Sequence, residues 1–367
     1  MKQRIARLFR PLCLLLCAAL LAGCAAPSSG SPAQADSGSG LNRYQVVWFD
    51  VFDTTTTVIA YCASQEEFDA QMEALHADLK AYNDLYDIYH AYEGINNLYT
   101  VNQNAGVAPV QVDSRIMDML KEAVRLYQVT GGKMNIAMGS VLRIWHDCRE
   151  AAEDTDDPQL PDQAALEAAA QHMDILDLIL DEDAGTVYLA DPEMSLDVGS
   201  CGKGYACEMA ARAAEARGLT SASISVGGNM RSIGAKPGGE PWVIGIENPW
   251  NPSTVYGTGD SYVDYMLTTN QTIVTSGDYQ RYFTVDGVRY HHLIDPDTLW
   301  PARYFSGVSV LCADSGLADC LSTGLFCMTL AEGQALVESL DGVEALWCLP
   351  DGTTAESSGW AAYRRGR

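Results

Sequence analysis

The stretch Leu196-Asp197-Val198-Gly199-Ser200-Cys201-Gly202-Lys203-Gly204-Tyr205 constrains the chain more than any other. An apolar, strand-like lead-in ends in a carboxylate. Three glycines and a lysine follow, and then an Ala-rich helical pattern begins. A glycine-rich turn feeding a helix start offers free backbone N–H groups and a positive dipole end. Lys203 adds a point charge, and the combination suits a phosphate. It is not a P-loop: Gly204 follows the lysine in place of Ser or Thr, and Asp197 stands where the first glycine belongs. A tight strand-to-helix turn without any ligand fits the same residues.

The 367 residues are enough for one large domain or two, with 47% apolar content to fill a core. The formal charge of −25 makes nucleic acid and anionic membrane surfaces poor partners for the body of the chain. An anionic ligand here needs local Lys, Arg or a metal ion to reverse the field.

Lys2, Arg4, Arg7 and Arg10 precede a short apolar run over residues 12–21 and then Leu21-Ala22-Gly23-Cys24. The run is too short to span a membrane and reads as an export signal. The last four residues resemble a bacterial lipobox, which makes residues 1–23 a cleaved lipoprotein signal and Cys24 the lipidated residue. Residues 24–42, rich in Ala, Ser, Gly and Pro, read as a flexible tether. An extracytoplasmic domain held to the membrane through Cys24 is the expectation, with residues 43–360 as its folded part. Of the 11 cysteines, eight lie beyond Cys24: Cys62, Cys148, Cys201, Cys207, Cys312, Cys320, Cys327 and Cys348. None forms a C-x-x-C pair, which argues against zinc ribbons and thioredoxin-like chemistry.

Residues 44–61 are β-branched and aromatic, broken near Asp53, and predict two strands or one bent strand. Ser64 and Glu67 have capping-box spacing and open a helix to about Tyr86. A Tyr- and Asn-rich segment follows, containing Tyr89 and Tyr92. Helices are expected from Ser114, around Met138 to Trp145, over 162–173, from the glycine-rich turn to about Arg217, over 317–330 and over 332–340. Strands are expected at 176–180, 186–189, 221–226, 242–246, 262–268, 280–284, 308–312 and 345–349, with a hairpin turn at Asp286-Gly287. Residues 249–261 read as a loop, and Thr275-Ser276-Gly277-Asp278-Tyr279 as a small polar turn. Strands and helices mix without βαβ alternation, which favours an α+β fold.

Two further constellations carry chemistry. His292 and Asp295 close a strand and could form a base with its orienting carboxylate, or a strand-edge histidine and a turn. Asp319 and Thr323 stand at i and i+4 on an expected helix, so their oxygens share a face. A carboxylate and a hydroxyl suit a hard cation such as Mg²⁺; a Thr bonding back to its own helix is the plainer alternative.

Four ordered motifs, LDVGSCGKGYA, SVGGNMRSIG, TSGDYQRYFTVDGVRYHHLIDP and ADCLSTGLF, resemble the FAD:protein FMN transferase (ApbE) family over about residues 46–349. The resemblance implies an α+β fold of mixed, largely antiparallel sheets with packed helices. It implies a Mg²⁺ site of Ser200, Asp319 and Thr323. It implies FAD contacts at Asp197, Lys203, Leu293, Phe52, Lys133, Met134 and Asn135, and at Tyr92, or Tyr89 if the gap falls differently. His292 is the implied general base. The implied reaction passes FMN from FAD to a threonine of an acceptor flavoprotein, forming a phosphoester and releasing AMP.

The chain departs from the family's usual pattern in three places. Phe52-Asp53-Thr54 replaces Met-Gly-Thr or Met-Asp-Thr, and Lys133-Met134-Asn135 replaces Ala/Val-Phe-Asp. Asp295-Pro296-Asp297-Thr298-Leu299 ends in leucine where the family has glycine, so that turn's final positive-φ position is expected to be handled differently. Three other functions compete with transfer: Mg²⁺-dependent hydrolysis of FAD to FMN and AMP, a flavin-binding lipoprotein without turnover, and a solute-binding lipoprotein. The joint presence of His292, Asp319 and Thr323 argues against the flavin binder; the tether and lipobox fit the solute binder, but the long motif match does not.

Overall fold

A computed structural model describes residues 33–35, 40–252 and 261–366. The signal at 1–23, Cys24, most of the tether and the central part of the 249–261 loop lie outside the described residues.

In chain order the elements are β1 (Ala33–Ala35), β2 (Asn42–Val51), β3 (Thr54–Cys62), α1 (Gln65–Tyr86), α2 (Leu98–Gln103), β4 (Val110–Gln111), α3 (Ser114–Val129), α4 (Gly139–Glu153) and α5 (Gln163–Ala169). There follow β5 (Leu178–Asp181), β6 (Thr186–Leu189), α6 (Gly202–Ala216), β7 (Ala222–Val226), β8 (Asn229–Ile233), β9 (Trp242–Glu247), β10 (Tyr262–Thr268) and β11 (Thr272–Gly277). The chain ends with β12 (Tyr282–Val285), β13 (Val288–His291), β14 (Gly307–Cys312), α7 (Ser315–Phe326), α8 (Leu330–Glu338), β15 (Glu344–Cys348) and β16 (Thr354–Glu356).

Nine strands form one sheet in the order β1-β2-β3-β7-β8-β11-β14-β15-β16. Its neighbouring strands all run antiparallel. Three small sheets, β9/β10, β12/β13 and β4-β6-β5, flank it. This is the expected α+β class.

The central strands are covered on both faces, which explains their unbroken apolar runs. Alternation along β11 and β14 sends Val274 and Val310 into the core under α7 and α8. Their neighbours Ile273 and Leu311 point the other way, into a core with Trp242 of β9 and Trp360. All six residues of β14 are consequently buried.

Local chemistry sets the helix starts. Ser64 Oγ accepts from the Glu67 N–H at 3.1 Å, as a cap should. The Glu67 carboxylate, however, takes the Ala63 N–H at 2.8 Å, one residue earlier than the capping box predicts. The cap of α3 is Asp113, which accepts from the Arg115 N–H at 2.9 Å, so Ser114 is already helical. The box that does close is Thr329/Glu332 at α8. Residues 275–277 correct the expected polar turn. They continue β11, because Thr275, Ser276 and Gly277 pair with Ser309, Val308 and Gly307 of β14. Strand β8 was also not foreseen; it follows directly on the Gly227-Gly228 turn, where φ is +57° and +92°.

Candidate active site

Helix α6 begins with no side-chain cap at Cys201. Its first-turn N–H groups are served instead from another helix: the Gly204 N–H donates to Asp319 Oδ2 of α7 at 2.7 Å. Only glycine allows this approach. A Cβ on Gly204 would stand 2.3 Å from the Ser315 carbonyl oxygen and 2.4 Å from Asp319 Cβ. The helix register is fixed from behind by Glu208, one turn along α6 and 1% exposed. Its carboxylate accepts from the Ser315 N–H at 2.9 Å, from Arg231 Nε at 2.9 Å and from Arg212 Nε at 2.8 Å. Ser276 of β11 meets Ser322 of α7 at 2.8 Å, pinning α7 from the sheet side.

On this scaffold Asp319 is 5% exposed, and burial pushes its carboxyl above the usual range. The Lys203 charge and the Gly204 N–H oppose that shift. The Asn229 amide, just past the Gly227-Gly228 turn, also faces the carboxylate. Thr323 stands one turn beyond Asp319, half-buried. The Thr323 and Ser200 hydroxyls make no hydrogen bond within the described chain. One carboxylate with a free oxygen and two unbonded hydroxyls are hard donors that fit a hard divalent cation.

The turn before α6 is built by Asp197. Its carboxylate accepts from the Gly199 N–H at 2.8 Å, and its own N–H donates to the Ile136 carbonyl at 2.8 Å. Lys203 folds back to donate to the Gly199 carbonyl at 3.0 Å. It has no carboxylate partner among the described residues, and its charge acts on Asp319 and His292. The β2–β3 turn adds a further edge. Phe52 and Asp53 both adopt positive φ, +57° and +48°, and the Phe52 N–H donates to Asn83 Oδ1 at 2.7 Å. A left-handed non-glycine residue costs roughly 1–2 kcal/mol. Thr54 then abuts Gly227, where a Cβ would meet Thr54 Oγ1 at 2.7 Å.

His292 follows β13. Its N–H donates to the Arg281 carbonyl at 3.1 Å, and its Nδ1 lies 3.3 Å from the same oxygen. A carbonyl only accepts, so Nδ1 carries the proton and Nε2 keeps its lone pair. Burial first, then the Arg281 charge, hold the imidazole well below the ordinary histidine range, with Lys203 and Arg149 adding to the effect. The ring is thus neutral at neutral pH, with Nε2 open as an acceptor.

Several of the expected contact residues are engaged within the fold itself. Asp295 does not orient His292. It is 2% exposed and accepts from Lys133 Nζ at 2.9 Å, because the turn after Ile294 directs its carboxylate toward Lys133. Lys133 is held a second time by Asp297 at 2.8 Å, so it is a structural clamp with its charge neutralised. Met134 is 1% exposed in the core and offers a ligand no side-chain surface. Asn135 is consumed internally, donating to the Met173 carbonyl at 3.0 Å and accepting from the Ala137 N–H at 2.8 Å. Leu293 is buried, and both its backbone groups are bonded, to His291 Nδ1 and to the Ala302 N–H. Leu299 does not escape the left-handed conformation; it adopts φ +63° without glycine, and its carbonyl accepts from Trp145 Nε1 at 2.9 Å.

Of the two tyrosines, Tyr89 is the one near Asp197. It is 54% exposed, packs on the His146 ring at 5.4 Å, and lies in the field of Asp197, Arg149 and Arg281. Tyr92 turns away. Its hydroxyl donates to Asp87 at 2.8 Å and its ring lies under Lys80, in a groove beside Asp84 and Arg115. Asn229 is marked in the sequence by its place after Gly227-Gly228, and Arg281 lies within the TSGDYQRYF run; Arg149 and Glu208 have no local pattern.

The site and its scaffold define a class, an α+β protein with a carboxylate–hydroxyl face beside a glycine-rich helix start. Residues 52–347 match the family described as ApbE family. The chain is 33% identical to an FAD:protein FMN transferase of Treponema pallidum over 276 residues, covering 71% of this chain and 73% of that one. It is 30% identical to one of Haemophilus influenzae over 277 residues, covering 75% of each. Among solved structures, the ApbE protein of Thermotoga maritima superposes with a TM-score of 0.75 at 27% identity, over 88% of this chain and all of that one. The flavin transferase ApbE of Vibrio cholerae gives 0.72 at 25% identity, over 88% and 99%. The chain belongs to the ApbE family.

Proposed function

We propose that the chain passes FMN from FAD to a threonine hydroxyl of a flavoprotein acceptor. It is an enzyme, an FAD:protein FMN transferase. The observation that carries the reading is the Gly204–Asp319 contact, which sets a glycine-rich helix start against a buried carboxylate in the field of Lys203. When bound, Mg²⁺ held by Asp319, Thr323 and Ser200 supplies charge neutralisation for the FAD pyrophosphate. The half-exposed face of Tyr89 offers a stacking surface for a planar ring.

In the step itself, the threonine oxygen bonds to the FMN-side phosphorus and the phosphorus–oxygen bond to AMP breaks. AMP leaves with that electron pair. The hydroxyl proton passes to His292 Nε2, the open nitrogen of a ring fixed by the Arg281 carbonyl. Hydrolysis of FAD would use the same residues with water in place of threonine.

The test is to incubate the protein with FAD, Mg²⁺ and an acceptor domain carrying a Ser/Thr-Gly-Ala-Thr-like target. Flavin fluorescence on the denatured acceptor supports transfer. Free FMN and AMP without labelled acceptor would make it a hydrolase, and intact bound FAD a binder.

The lipobox-like run to Cys24 supports an extracytoplasmic, lipid-anchored placement. No described helix is long and apolar enough to cross a membrane. Replacing Cys24 by Ala should then release the protein from the membrane fraction; retention there would argue against the anchor.

A further inference from the structure

We propose that Arg281 and Arg149 form a second cationic wall of the site, opposite Asp319, whose guanidinium groups grip the phosphate oxygens of FAD on the His292 side. The proposal rests on the FAD reading above and extends it to two residues that the family resemblance does not assign.

The starting point is charge. The chain carries 48 acidic residues against 23 lysines and arginines. Cations in such a chain readily find carboxylates, as Lys80, Arg115, Lys121, Arg212 and Arg231 do. The guanidinium groups of Arg281 and Arg149 make no ion pair and no hydrogen bond among the described residues. Packing places the backbone segments that carry them, with Arg149 half-buried and Arg281 exposed. Arg281 is tied across the hairpin to His292 through its carbonyl. Arg149 lies one turn beyond Trp145 on α4. Trp145 stacks on Tyr290 at 6.2 Å and touches Phe283 at 6.3 Å, which holds α4 against the β12–β13 hairpin. His146, on the same turn of α4, meets Tyr89 at 5.4 Å. Both arginines therefore come to the edge where His292 and Tyr89 stand, and both act on each of those rings.

An unpaired guanidinium beside a neutral base is suited to an anion. Its planar fork matches two phosphate oxygens at once, where lysine offers only a point charge. Lys203, and a cation held by Asp319, Thr323 and Ser200, would neutralise one side of the pyrophosphate. The arginines fall on the side of His292, where the attacking hydroxyl must sit, so they contact the phosphoryl group that is transferred. Charge on its non-bridging oxygens in the transition state is what preformed donors stabilise, typically by about 10²- to 10³-fold per donor removed.

The test uses the full chain with Arg281→Gln, Arg149→Gln and the double substitution. FAD affinity is read from flavin fluorescence, and transfer from single-turnover labelling of the acceptor. Each single variant should weaken FAD binding several-fold and slow transfer by about 100-fold or more, with the double variant worse in both. The thermal midpoint should not move, because neither guanidinium bonds to the protein. Arg281→Lys should recover part of the rate, and added guanidinium should partly rescue Arg281→Ala; a residue acting only through folding would show neither. Wild-type FAD affinity and rate in the double variant would overturn the proposal. If the native protein labels no acceptor, FAD affinity alone decides. Weaker binding in the double variant keeps the cationic wall and removes only the transfer reading, whereas unchanged binding removes the wall.

Discussion

The Gly204 N–H and Asp319 Oδ2 are joined at 2.7 Å across two helices, and the contact leaves no room for a methyl group on Gly204. Gly204→Ala must part α6 and α7, since the new Cβ meets backbone and not a flexible side-chain tip. Overpacking of this kind costs about 1–3 kcal/mol. Here it also displaces the carboxylate from the helix start. We expect a lower thermal midpoint together with loss of flavin transfer. An alanine variant with native melting and native activity would show that the two helices can separate freely.

Asp319→Asn separates charge from shape. The amide oxygen can still accept from Gly204, and burial already disfavours the charged form of Asp319. Stability should therefore hold or rise. Divalent-cation affinity and turnover should fall by at least about 100-fold, because a hard cation loses its one carboxylate. Titration of Mg²⁺ or Mn²⁺ by calorimetry checks this; native metal affinity in the variant would remove Asp319 from the metal site.

Tyr89 and Tyr92 should respond oppositely to truncation. Tyr89→Ala removes a half-exposed ring beside Asp197 and should weaken FAD binding with little change in melting. Tyr92→Ala removes the hydroxyl that donates to Asp87 and should leave FAD affinity within about twofold, at a cost of roughly 0.5–1.5 kcal/mol in stability. A fluorescence titration with FAD distinguishes them, and a larger affinity loss in the Tyr92 variant would reverse the assignment.

The buried Glu208 is a structural hinge-pin for the same site. Glu208→Ala would leave Arg231, itself 5% exposed, without its main countercharge. Breaking a buried ion pair on one side typically costs about 3–5 kcal/mol. Urea unfolding should show that loss, and Glu208→Gln, which can still accept one bond, should lose less. Equal stability in all three proteins would mean that Arg231 finds another partner.

Much of this was legible in the sequence because it depends on local pattern. The Asp286-Gly287 hairpin, the helix from Ser64 and the i, i+4 pairing of Asp319 with Thr323 need only neighbours along the chain. What escaped depends on contacts across it. Residues 275–277 look like a turn until β14 supplies a partner. Asp295 looks like a partner for His292 until Lys133, 162 positions earlier, captures it. Phe52 and Leu299 break the rule that left-handed positions call for glycine, and tertiary packing holds them there. Arg149 and Arg281 become a pair only when Trp145 seats α4 on the hairpin.

His291 makes acid stability a test of the fold around the site. Its Nε2–H donates to the Ala302 carbonyl at 2.8 Å, and its Nδ1 accepts from the Leu293 N–H at 3.2 Å. A second ring proton would face that N–H, and the ring is 3% exposed. Burial accordingly pulls its pKa from 6.5 down to about 4. The unfolded chain takes up a proton near pH 6.5, while the folded chain refuses it until near pH 4. Stability is therefore full above pH 6.5 and falls as the pH drops through that window, by up to roughly 3 kcal/mol from this residue. His292 shifts in the same direction and adds to the slope. Thermal midpoints between pH 7.5 and 4.5 should decline, and His291→Gln should flatten the decline between pH 6.5 and 5, where carboxylates contribute little. A flat native profile across that interval would mean that His291 is charged in the folded protein and that its bond to the Leu293 N–H does not form.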